Sequence, residues 1–201
     1  MENIKDTYRT LAKPSEEILF KEKKSKFYGY AFPVETEDEV KIIIDALKNK
    51  HSSANHVCYA WQIGVEEPSY RANDDGEPNN SAGMPIYGQI QSFNVTNTLV
   101  AVPRIFGGTK LGVGGLITSY KMAAKMALEN SKIIEKIVQN QFKITFEYAQ
   151  IDVVMRIIKQ KNLQIIFQKM EMNCELIVGV RKSEAAQIKD IFVGIYGVHV
   201  A

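Results

Sequence analysis

"VPRIFGGTKLGVGGLITSY", residues 102–120, runs from an apolar strand through a glycine-rich loop into a helix. Five of the chain's 13 glycines fall between Gly107 and Gly115. Upstream, "TLVAVPRIF" (98–106) reads as a strand. Pro103 lacks a ladder N–H and so predicts an edge position or a strand end. Downstream, Leu116, Tyr120, Ala123, Ala127 and Leu128 recur at helical spacing and predict a helix over 116–130. The loop between supports two readings. Glycine is needed where φ is positive or where backbones touch. Successive glycines can also turn N–H groups toward an anion at a helix start. Arg104, Gly107, Gly108, Lys110, Gly112, Gly114 and Gly115 are the residues of that second reading. A Walker loop is excluded, because Val113 follows Gly112 where Lys and Ser or Thr are required. A dinucleotide fingerprint fails at Ile117, which stands in place of its third glycine.

Working outward, "EEILFKEKKSKFYGYAFPV" (16–34) predicts two strands joined at "KKSK". Residues 36–50 predict a helix with Thr36 as N-cap, Glu39 completing a capping box, and Val40, Ile43, Ile44 and Leu47 on one face. "HVCYAWQIG" (56–64) alternates as a strand ended by Gly64. Residues 66–85 carry the Pro, Gly, Asn and Asp of a loop, and a short helix follows with Pro85 in its first turn. After about residue 131 the linker "ENSKIIEKIVQNQ" leads into strand 142–148, helix 149–160, strands 163–170 and 173–182, a helix from Ser183 to about Phe192, and a last strand "VHV". That order is the split βαβ, ferredoxin-like pattern. The expected fold class is therefore α+β in two domains, 1–134 and 135–201.

The chain has 201 residues, 45% hydrophobic and 24% charged, with a net charge of +2 and a pI near 8.4. These values fit a folded chain and exclude a disordered one. They leave room for a local basic patch. The polar N-terminus "MENIKDTYRT" has no signal-peptide core, and no apolar run approaches the ~18 residues of a membrane span. Cys58 and Cys174 show no disulfide spacing, so a reducing, cytoplasmic setting is expected.

Charge is polarised along the first domain. Arg104, Lys110, Lys121, Lys125 and Lys132 face a single acid, Glu129, over residues 104–132. Glu66, Glu67, Asp74, Asp75 and Glu77 make an acidic loop. Lys121 and Lys125, four apart, share a helix face, and Lys21, Lys23, Lys24 and Lys26 extend the basic set. Tyr59 and Trp61 alternate along a strand and would offer a stacking surface for bases if exposed. His56 and Cys58 share a strand face as half a metal site or as a buried thiol with its neighbour. Asp74, Asp75 and Glu77 around Gly76 form either a plain turn or a divalent-cation site. The turn is preferred, and no metal or cofactor is expected. No hydrolase triad or G-x-S-x-G is present.

Taken together, "KKSKFYGYAFPV", "HVCYAW", "NDDGEPNNSAGMPI" and "VPRIFGGTKLGVGGLITSY" resemble the IMPACT/YigZ (UPF0029) family in order and spacing, over most of residues 16–130. The resemblance implies a first domain folded like the fourth domain of elongation factor G, and a ferredoxin-like tail of the kind attached to bacterial members. It also implies a link to RNA, the ribosome and regulation of translation, and it supplies no catalytic residues. The sequence departs from the family pattern at Asn80-Ser81, where Gly-Thr is usual, and at Thr118, where a basic residue is common. The first expectation is a non-enzymatic RNA- or ribosome-binding protein contacting phosphate through Arg104, Lys110, Lys121 and Lys125. Its rivals are a divalent-metal enzyme on a phosphorylated substrate, using Asp74, Asp75 and Glu77, and a module whose acidic loop meets a protein partner.

Overall fold

The computed structural model describes residues 6–201; the first five residues of the polar N-terminal stretch lie outside them. The chain divides into two compact units, residues 8–136 and residues 137–201 with Asp6 and Thr7. In chain order the first unit holds all but the first residue of β1 (Thr7–Leu11), then β2 (Ile18–Glu22), β3 (Ser25–Pro33), α1 (Glu37–Lys50), β4 (His56–Ile63), β5 (Ser69–Asn73), α2 (Gly83–Ser92), β6 (Thr98–Ile105), α3 (Gly112–Glu129) and all but the last residue of β7 (Ile133–Ile137).

Its main sheet has the order β2-β3-β6-β4-β5, and every neighbouring pair is antiparallel. Alternation along the strands feeds two cores. Phe27, Cys58, Ala60, Val100 and Val102 turn to the side of α2 and α3. Tyr30, Val57, Trp61, Leu99 and Ala101 turn to α1. With both faces covered, β6 reads as a continuous apolar run rather than an alternating one. Pro103 thus lies in the central strand, not at an edge. The β3–β6 ladder is interrupted between Phe27↔Arg104 and Tyr30↔Ala101, the gap that contains the proline. Close packing also fixes glycines outside the loop, Gly29 and Gly83. A Cβ on Gly29 would sit 2.5 Å from the Ala123 carbonyl oxygen, so any side chain there would lift α3 off β3. At α1 the capping box is formed: Thr36 accepts from the Glu39 N–H, and Glu39 accepts from the Thr36 N–H.

Two strands arise where sequence composition predicts connections. β5 forms within the turn-rich 66–85 segment as a short, largely exposed edge paired with β4. β7 forms within the expected linker and pairs with β1 in a separate two-stranded sheet. Its partner lies more than a hundred residues away, so no local pattern announces it.

The second unit contains β8 (Gln139–Glu147), α4 (Ile151–Gln160), β9 (Gln164–Lys169), β10 (Asn173–Arg181), α5 (Ala185–Val193) and β11 (Val198–Val200). The sheet order β11-β8-β10-β9 is antiparallel throughout, the 4-1-3-2 arrangement of the ferredoxin-like fold. Ile144, Leu176 and Val178 from the sheet close on Val154, Ile188 and Phe192 from the helices to make its own core.

Candidate functional site

The glycine loop answers to both readings, residue by residue. Gly107 is a packing glycine: its N–H donates to Ser25 Oγ at 3.1 Å, and a Cβ would fall 2.1 Å from the Lys24 carbonyl carbon. The β2–β3 hairpin is therefore seated against the loop. Gly112 needs its φ of +71°. Gly114 has neither reason, because its φ is ordinary and an added Cβ would meet open space. The helix also begins at Gly112 rather than at Leu116. Glycines have low helix propensity and carry no apolar spacing, so the sequence pattern starts a turn too late. Leu111 at the N-cap has no side-chain oxygen, so the N–H groups of Gly112, Val113 and Gly114 have no capping side chain.

Arg104 is not a surface cation. It is only 5% exposed; its Nη1 donates to Glu77 Oε1 at 2.5 Å, and its guanidinium lies 5.4 Å from the Phe27 ring centre. Tyr120 Oη donates to the same Glu77 oxygen at 2.8 Å. A basic and an acidic candidate are thus joined in one buried pair, and Arg104 Nε–H is left without a partner. Cys58 Sγ donates to the Asp74 carbonyl at 3.0 Å and lies 3.3 Å from Tyr120 Oη. Burial pushes both the Cys58 thiol and the Tyr120 phenol well above their ordinary ranges.

The remaining acids are engaged as well. Asp74 accepts from the backbone N–H groups of Asn80, Ala82 and Gly83 at 2.8–2.9 Å, so it caps α2 from eight or nine residues upstream. Asp75 Oδ2 accepts from Val57 N–H at 2.7 Å. His56 Nδ1 lies 2.7 Å from the Asp75 carbonyl oxygen and so carries the ring proton when the imidazole is neutral. His56 and Cys58 do share a strand face, and both are tied to the 74–75 backbone. Among the described residues no cluster of three His, Cys, Asp or Glu side chains is placed to hold a metal ion. Trp61 is 4% exposed in the core beneath α1 and offers no ring for stacking. Tyr59 is half-buried, and its hydroxyl accepts from Asn73 Nδ2 at 3.3 Å.

The lysines behave differently. Lys110, Lys121 and Lys125 are exposed; Lys125 pairs with Glu129 at 3.5 Å. The β2–β3 turn is Lys23-Lys24, with φ of 42° and 67°, a two-residue turn of the kind that favours Asn-Gly. Lys21 lies directly across from Lys26. Lys21, Lys23, Lys24, Lys26, Lys110 and Lys121 make no ion pair with any described residue. Charge counting along the sequence centres the basic patch on α3. At Gly107 the loop backbone meets the lysine-bearing β2–β3 hairpin, a pairing that local sequence does not reveal. Beside the loop opens a pocket of about 490 Å³, walled by His56, Glu77, Arg104, Phe106, Lys110 and the first turn of α3.

Residues 23–128 match the Impact N-terminal domain family. A Haemophilus influenzae IMPACT family member is 29% identical over 171 residues, covering 83% of each chain. The Bacillus subtilis IMPACT family member YvyE is 35% identical over 130 residues, 65% of this chain and 59% of its own length. A crystal structure of a hypothetical protein superposes with a TM-score of 0.74 at 22% identity, over 98% of this chain and 97% of its own, which shows the same fold.

Proposed function

The chain belongs to the IMPACT family, and from that premise we propose that it is a non-enzymatic RNA- or ribosome-binding protein linked to regulation of translation. One observation carries the reading: exposed lysines on the β2–β3 hairpin and the adjoining glycine loop have no counter-charge of their own. Lys21 opposite Lys26 repels across the ladder, a cost that an external polyanion would remove. Phosphate contacts by Lys23, Lys24, Lys110 and Lys121 release counterions, so binding is steeply salt-dependent. Among the described residues no helix is long and apolar enough to cross a membrane. The rival metal-enzyme reading finds no support in the acidic loop, whose carboxylates already serve backbone N–H groups and Arg104.

The test is ribosome co-sedimentation and RNA binding at two salt concentrations. It compares the parent protein with Lys23→Glu/Lys24→Glu and Lys110→Glu/Lys121→Glu variants. Each variant is expected to bind more weakly, and the slope of log affinity against log salt is expected to flatten by about one unit for every phosphate no longer neutralised. Absent binding, or binding indifferent to salt, overturns the reading.

A further inference from the structure

The pocket beside the glycine loop has features that a track for an RNA backbone does not need. Its volume of about 490 Å³ suits a small molecule. At one end the 18-residue α3 brings Gly112 and Val113, in a first turn without a capping side chain, into the pocket wall. A second observation is independent of the helix. Arg104, 5% exposed, lines the same pocket, and its Nε–H is buried with no partner, a costly state for a charged donor. Lys110 adds an exposed, unpaired ammonium at the rim. The Asp75 carbonyl takes the His56 Nδ1 proton, so Nε2 of the neutral ring is an acceptor and not one of the phosphate donors. Glu77 also lies in the wall, but Arg104 offsets its charge. Phe106, Val113 and Leu116 supply an apolar flank.

We propose that this pocket binds a terminal phosphate monoester, with the phosphate on the first turn of α3 and beside Lys110, and the organic body against Phe106, Val113 and Leu116. A monoester offers three terminal oxygens to the several donors gathered there, whereas a backbone diester offers two. The ligand can be a free nucleotide-sized molecule or the phosphorylated end of an RNA; the chemistry recognised is the same. The site shares Lys110 with the polyanion reading but takes its other contacts from the α3 turn and not from the hairpin lysines, so the Lys23→Glu/Lys24→Glu variant separates the two.

The test titrates the ¹⁵N-labelled protein with adenosine 5′-monophosphate and with adenosine, and follows the amide signals of Gly112, Val113, Gly114 and Lys110. The monophosphate is expected to shift these signals and to bind at least tenfold more tightly than the nucleoside. Val113 is half-exposed in the first helical turn. Val113→Asp places a carboxylate where the helix favours one, so the melting temperature is expected to hold or rise while monophosphate binding falls at least tenfold. The Lys23→Glu/Lys24→Glu variant is expected to keep monophosphate binding. Oligoribonucleotides with a 5′-phosphate or a 5′-hydroxyl separate the sources: preference for the phosphorylated strand over the free monophosphate assigns an RNA end, and equal binding assigns a small molecule. Amide signals that do not move at millimolar monophosphate, equal affinity for adenosine, or undiminished binding by the folded Val113→Asp variant each overturn the proposal.

Discussion

Asp74, Asp75 and Glu77 all have partners inside the protein, whereas Lys21, Lys23, Lys24 and Lys26 have none among the described residues. Both groups are dense clusters of mostly one charge, one in a loop and one in a hairpin of the same unit, and in sequence they look like equal candidates for outside chemistry. The structure separates them by what their polar atoms already do. Asp74 takes three backbone N–H groups, Asp75 takes one, and Glu77 takes Arg104 and the Tyr120 hydroxyl, so these carboxylates hold the loop in shape and have fewer lone pairs left for a cation. An exposed ammonium with no ion-pair partner is free for a polyanion. The acidic loop is therefore scaffold, and the basic hairpin is surface.

The sharpest way to break this contrast is Glu77→Ala. It would strand the Arg104 guanidinium in the core and leave the Tyr120 hydroxyl without its acceptor. The expected loss is about 3–5 kcal/mol, the usual cost of removing one partner of a buried pair. Urea denaturation measures it; a loss under about 1 kcal/mol would mean that Glu77 is held for something other than the fold. Replacing both partners with apolar residues of similar volume is expected to restore most of the stability.

Asp74→Ala tests the same contrast at lower energy. Three N–H groups at the entry to α2 lose their acceptor, and Ala82 at the N-cap cannot replace it. A loss of about 1–2 kcal/mol follows from the cost of a lost cap. Faster amide exchange confined to the start of α2 would mark its origin.

These residues also show where sequence reading reaches its limit. Thr36 and Glu39 are legible because a capping box is a local device three residues long. The ferredoxin-like order is legible because each element of 137–201 carries its own periodicity. Arg104 is not: residue type says surface, and the partner that keeps it buried lies 27 positions upstream. Trp61 sits in a strand whose two faces are both covered, so alternation alone does not say that its side is inside. The neighbourhood of Lys24 and Gly107 joins segments more than eighty residues apart, and only the close approach of two backbones reveals it.

The smallest effect is the most telling, because its two readouts should move in opposite directions. Lys21→Glu turns a like-charge pair across the β2–β3 ladder into an opposite-charge pair with Lys26. Cross-strand charge pairs contribute about 0.2–1 kcal/mol, so the variant is expected to be slightly more stable than the parent. Removing a cation from the hairpin should at the same time weaken RNA or ribosome binding at low salt and flatten its salt dependence. A structural lysine would lose stability on this change, and an idle one would leave binding untouched. Gain of stability with loss of binding is the pattern expected of a charge kept at the expense of the fold for an external partner, and denaturation paired with co-sedimentation reads both halves.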